Sequence, residues 1–159
     1  MPLDLRTELT KRLDGAGHIV LLAVGSELRG DDAAGLLVAA ELKNLPQLTV
    51  LIGGTAPENL TGQIKKLKPS HLIIVDAAEL KEATGTVRLV ELEEIGGFSF
   101  STHALPLKVM IDFILQDHHC AVLIVAIQPK DTTFGAPVDP AVSRAAAQVA
   151  ADLTAAISS

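Results

Sequence analysis

Three short apolar runs constrain the fold of this chain more than any other feature. They are His18-Ile19-Val20-Leu21-Leu22-Ala23-Val24, Leu72-Ile73-Ile74-Val75 and the stretch from Cys120 to Ile127. Each is far shorter than the roughly 20 apolar residues of a membrane-spanning helix, and none shows the in-out alternation of a strand with one wet face. They read as parallel strands covered on both sides, with the helical segments between them as the covering layers. The expected fold class is α/β, a three-layer α/β/α sandwich around a mostly parallel central sheet of about five strands. A chain of 159 residues suits one domain, 1–159, with a core large enough to stand without disulfides, and its single cysteine can form none internally.

Periodicity fills in the other elements. Leu5, Leu9 and Leu13 place a helix over about 3–14, followed by a strand over about 18–24 and a helix over about 32–43 that carries Leu36, Leu37 and Ala40. A strand over 48–52 ends at Gly53-Gly54, and Pro57-Glu58-Asn59 starts a helical turn leading to Ile64 and Leu67, stopped by Pro69. The run over 71–75 is expected at the centre of the sheet. Residues 86–92 alternate polar and apolar, as in a strand near an edge, and Gly96-Gly97 suggests a mobile loop. A helix over about 105–116 has Leu105, Val109 and Phe113 beside Met110 and Ile114, with Pro106 in its first turn, and Pro140 opens a last, alanine-rich helix to about 157.

Charge and composition exclude some functions. The net charge is −6, the aromatics are four phenylalanines, and the basic cluster Lys65-Lys66-Leu67-Lys68 fits a solvated helix face. Nucleic-acid binding needs a basic surface, and single-strand binding needs stacking platforms as well, so neither is expected. Met1 to Glu8 carries charges where a signal peptide is apolar, and no run reaches membrane-spanning length. A cytoplasmic chain without membrane insertion is expected, and a monomer, since no helix face is surplus to the core.

Ligands of open α/β sheets bind beyond the carboxyl ends of the strands. Asp32 follows the first strand through Gly25-Ser26-Glu27-Leu28-Arg29-Gly30-Asp31, Asp76 ends the third, and His103 precedes the helix near 105. The first loop is no phosphate cradle: its acidic residues would repel an anion, and Gly25, Gly30 and Gly35 lack the G-x-G-x-x-G spacing. Asp31 is expected to cap the following helix, whereas Asp32 has no need to cap and is equally a ligand or a first-turn residue. A carboxylate at Asp76 would be costly to bury unless paired, hydrogen-bonded or bound to a cation, and the alternative is an Asx turn over Ala77-Ala78. Two carboxylates and an imidazole leave coordination positions open on zinc, nickel or cobalt. His118-His119 is expected to be a solvated helix end and Cys120 a buried inert thiol, and Ser26 lacks a G-x-S-x-G elbow.

Five segments, in order, resemble one known family. They are Gly30-Asp31-Asp32-Ala33-Ala34-Gly35, Gly53-Gly54-Thr55-Ala56-Pro57-Glu58-Asn59, Leu72-Ile73-Ile74-Val75-Asp76-Ala77, Ser101-Thr102-His103-Ala104-Leu105-Pro106-Leu107 and Ile127-Gln128-Pro129. The chain resembles the hydrogenase maturation endopeptidases, particularly the type serving formate-hydrogenlyase and related hydrogenases. That resemblance implies a cytoplasmic, nickel-dependent endopeptidase that removes a C-terminal extension from the precursor of a nickel–iron hydrogenase large subunit after nickel insertion. It implies Asp32, Asp76 and His103 as metal-binding and catalytic residues, with nickel carried by the substrate rather than held by the free enzyme. Gly53, Gly54 and Thr55 would shape the substrate groove, although a tight strand-to-helix turn accounts for them equally well. Two departures stand out: Gly25-Ser26 where many relatives have Gly-Asn, and Asp32 where others carry glutamate. Two other functions fit the same trio, a metal-dependent amidohydrolase of small molecules and a non-catalytic assembly factor that checks nickel.

Overall fold

The computed structural model describes residues 4–101 and 106–159. A helix α1 (Leu5–Arg12) begins at Asp4, whose carboxylate accepts the Thr7 N–H at 3.2 Å, and ends on Lys11 and Arg12, basic residues that suit a helix C-terminus. Then follow β1 (Ile19–Val24), α2 (Ala34–Glu41), β2 (Leu48–Gly54), α3 (Thr61–Leu67), β3 (His71–Glu79), β4 (Val87–Val90), β5 (Ser99–Phe100), α4 (Leu107–Asp117), β6 (Ala121–Ile127) and α5 (Pro140–Ser158).

The sheet runs β2-β1-β3-β6-β4, with β5 paired to the end of β3. β2, β1, β3 and β6 are parallel, β3 lies at the centre as expected, and β4 closes one edge antiparallel to β6. Because successive strand residues face opposite sides, one apolar run feeds two cores. Ile19, Leu21, Ile73, Val75, Leu123 and Val125 meet Leu9 of α1, Val38 of α2 and Val142, Val149 and Leu153 of α5. Val20, Leu22, Leu72, Ile74 and Ile124 meet Ile64 of α3 and Met110, Ile111 and Ile114 of α4. Each such side chain, withdrawn from water, contributes about 1.5–3 kcal/mol, which makes these strands the most expensive part of the chain to expose. Among the described residues no helix is long and apolar enough to cross a membrane.

Several elements depart from the sequence expectations for local reasons. The second helix is split: Gly30–Ala33 forms a tight 3-10 turn before α2 begins at Ala34. Pro106 precedes α4 instead of lying in its first turn, and its carbonyl accepts the N–H groups of Val109 and Met110. Gly96-Gly97 ends a 3-10 turn over Leu92–Gly97, locked at its start by reciprocal bonds between Glu91 and Glu94, rather than forming a loose loop. The lysine cluster is not simply solvated, because Lys65 pairs with Asp117 at 2.7 Å and lies 3.5 Å over the Phe113 ring, tying α3 to α4. Past Leu67, Lys68 takes a left-handed conformation at φ 47° and Pro69 bars further helix.

Candidate active site

From β1 the chain passes to β2 on one side of the sheet and to β3 on the other, so the strand order reverses at β1 and β3. A crevice at their carboxyl ends follows from that reversal. Pairing of β1 with β3 stops at Ala23 and Val75, while Val24 shifts register to meet Gly54 of β2. The two strands part at this point, and Gly35 in the first turn of α2 is wedged between them. A Cβ there would stand 2.4 Å from the carbonyl oxygens of both Val24 and Val75, so only glycine lets the helix approach this closely.

The turn before α2 holds the paired aspartates. Gly25, at φ +144°, passes so close that a Cβ would sit 2.0 Å from the Asp32 carbonyl oxygen, and that oxygen accepts the Ser26 N–H at 3.1 Å. The backbone at Asp32 is therefore held by the start of its own loop. Asp31 does not cap a helix, as its sequence context suggested. Its carboxylate, fully buried, accepts the backbone N–H groups of Lys130 (2.8 Å), Asp131 (3.0 Å) and Asp139 (2.7 Å). It thereby fastens the loop after β1 to the loop after β6 and to the N-cap residue of α5. Asp32, only 8% exposed, lines the crevice instead.

Asp76 does not end its strand: β3 continues to Glu79, where Ala78 and Glu79 pair with Phe100 and Ser99 of β5. Asp76 is wholly buried, and both of its carboxylate oxygens are bonded by Ser101, Oδ2 to the backbone N–H at 3.1 Å and Oδ1 to the Ser101 hydroxyl. Burial, with a smaller push from the charge of Asp32, raises the Asp76 carboxyl to about 8 against the lowering pull of the bonds from Ser101 and the Ala77 backbone. A group so placed is neutral near pH 7 unless a cation shares the site.

The crevice has a volume of about 230 Å³. Asp32, Arg29 and Lys130 line it from the loops after β1 and β6, and Ala77, Glu79 and Ser101 from β3 and the end of β5. Asp76, buried, precedes Ala77 in the chain and is bonded by Ser101, and both of these residues line the pocket. Arg29, Glu79, Ser101 and Lys130 were not singled out by sequence reasoning. Adjacency to strand ends was their sequence signal, with Ser101 also opening one of the segments that carry the family resemblance, because nothing in residue type distinguishes them from surface side chains.

His103 lies outside the described residues. Among the described residues no group of three His, Cys, Asp or Glu side chains is placed to hold a metal ion, and the described part of the expected trio is the carboxylate pair Asp32 and Asp76. Gly53, Gly54 and Thr55 do not border the crevice. Gly54 bends left-handed at φ +59° and its carbonyl accepts the Gly25 N–H at 2.9 Å, while a Cβ on Gly53 would come within 2.9 Å of the Pro57 Cβ. The tight-turn account of these residues fits that geometry. His118 is not a free helix end, since its Nε2 is 2.7 Å from the Pro69 carbonyl oxygen, whereas Cys120 is buried with its thiol pKa raised by burial, as expected of an unreactive thiol.

Comparison with known proteins points one way. Residues 36–156 match the family model described as HycI, hydrogenase maturation protease. The chain is 37% identical to the hydrogenase 3 maturation protease of Escherichia coli K12 over 122 residues, covering 75% of this chain and 78% of that one. The crystal structure of the [NiFe] hydrogenase maturation protease HycI from Thermococcus kodakarensis superimposes with a TM-score of 0.87 at 27% identity, over 96% of this chain and 99% of the other. The solution structure of the endopeptidase HycI from Escherichia coli gives a TM-score of 0.78 at 33% identity, over 86% and 89%. A family match over most of the chain, together with this agreement in sequence and fold, shows that the chain belongs to the hydrogenase maturation protease family.

Proposed function

We propose that this protein cleaves the C-terminal extension from the precursor of a nickel–iron hydrogenase large subunit once nickel has been inserted, acting in the cytoplasm as a monomer. Nickel arrives as part of the substrate, and Asp32, Asp76 and His103 engage it, so that cleavage follows only on a loaded precursor. The observation that carries this reading is the pair of carboxylates at the β1–β3 reversal. Asp32 faces the crevice, and Asp76 is buried at a cost that a bound cation would offset. The donor set, carboxylates with an imidazole two residues beyond Ser101 in sequence, suits a divalent transition metal held with positions left open.

Size favours a polypeptide over a small molecule. At about 230 Å³ the crevice is below the roughly 300–1,000 Å³ of pockets that engulf small ligands. An extended chain crossing the sheet end would need only a few residues seated there.

The test is processing of nickel-loaded and nickel-free precursor, read by mass spectrometry, with His103→Ala beside the native protein. Release of one defined C-terminal peptide only from loaded precursor, abolished in His103→Ala at nearly unchanged thermal stability, is the expected result. Precursor bound but never cut would make the protein an assembly factor instead, and equal cutting with and without nickel would remove the metal from the reading.

A further inference from the structure

We propose that Ser101 is a positioning residue for the processing reaction, one that sets the orientation of the Asp76 carboxylate. The proposal rests on the reading of Asp76 as part of the processing site. Ser101 binds both Asp76 oxygens at once, its N–H to Oδ2 at 3.1 Å and its hydroxyl to Oδ1. Two bonds from one residue to the two ends of a carboxylate define its plane, which a single bond does not.

The fold explains why this residue is the one that does so. β5 pairs Phe100 with Ala78 and Ser99 with Glu79, running antiparallel to β3, so the chain leaves β5 just as it comes back alongside Asp76. Ser101 lies at that exit, half-buried, and lines the same crevice as Asp32. With a cation in the site the carboxylate is ionised and offers about four lone-pair directions, and Ser101 occupies one on each oxygen, which decides where the remaining ones point. Partners of this kind, one step removed from a reacting or ligating group, typically change activity 10- to 100-fold when lost.

Because every residue supplies a backbone N–H, Ser101→Ala deletes only the hydroxyl half of the clamp. With nickel-loaded precursor as substrate, Ser101→Ala should lower kcat by roughly 10- to 100-fold while KM stays within about threefold, and Ser101→Thr, which keeps the hydroxyl, should restore most of the rate. Ser101→Cys, close in size with a weaker donor, should fall between Ala and Thr and serves if the alanine variant is too unstable to assay. Native kcat in Ser101→Ala, a loss confined to KM, or failure of Thr to rescue overturns the proposal. Asp76→Asn run alone separates the two layers: native activity there overturns the reading of the site and this proposal with it. An inactive Asp76→Asn beside a fully active Ser101→Ala overturns the proposal alone.

Discussion

Asp31 and Asp32, neighbours in the chain, are put to different uses: one fastens loops and the other lines the crevice. The Asp31 carboxylate is spent on three backbone amides of Lys130, Asp131 and Asp139, while Asp32 borders the crevice. Removing Asp31 leaves three N–H groups without their acceptor, a loss of roughly 3 kcal/mol or more. Asp31→Ala should therefore lower the melting temperature by roughly 6–12 °C for a domain of this size. Asp32→Asn should shift it by only a few degrees and abolish processing. Calorimetry on the two variants, with processing assayed below both transitions, separates these roles.

The buried Asp76 makes the metal-free protein less stable as pH rises. Its carboxyl is raised from 3.8 to about 8 in the folded state, so between those values the unfolded chain has lost a proton that the folded chain keeps. The unfolded state then binds fewer protons, and the unfolding free energy falls with increasing pH across that window. Urea titrations of the metal-free protein from pH 5 to 8 should show this decline. Asp76→Asn, which cannot ionise, should flatten it and be the more stable form at pH 8, while being inactive. Equal slopes for the two proteins would contradict the assignment.

Gly35 is where α2 meets the parting ends of β1 and β3. The atoms that a Cβ would strike, the Val24 and Val75 carbonyl oxygens, are backbone and cannot rotate away. Gly35→Ala should cost roughly 1–3 kcal/mol despite the better helix propensity of alanine. It should also depress processing by displacing the turn that carries Asp32. A stabilised, fully active variant would mean that the wedge is looser than the contacts imply.

Lys68 sits at φ 47°, a conformation that costs a residue with a Cβ roughly 1–2 kcal/mol and glycine little. Lys68→Gly should raise stability by up to about 1 kcal/mol, part of the gain being offset by the greater freedom of glycine in the unfolded chain. Processing should be unchanged, because α3 ends away from the crevice. Denaturant unfolding is the direct check.

Much of this architecture is legible in the residues themselves. The runs ending at Val24, Val75 and Ile127 became the parallel centre of the sheet because strands covered on both faces tolerate few polar residues, and that demand is written locally. The identity of α4 was equally local, since Met110, Ile111 and Ile114 recur at the helical spacing that buries them. Boundaries were less so. The split at Ala34 and the start of α4 after Pro106 depend on which backbone groups find partners across the fold. The candidate aspartates were visible because carboxylates after apolar strands are unusual, but which of Asp31 and Asp32 faces the crevice was not.

The layered α/β class, the strands and the short set of residues able to do chemistry were set locally, because periodicity and burial cost act within a few residues of each position. Tertiary structure alone decided the use of each. Asp31 became a loop fastener because Lys130, Asp131 and Asp139 are brought to it from about 100 positions away. Asp76 became a clamped, buried carboxyl because β5 folds back to set Ser101 against it, 25 residues on. Hydrogen-bond partners this distant in the chain leave no local pattern, so the roles of these aspartates arise only where strands from separate parts of the sequence converge.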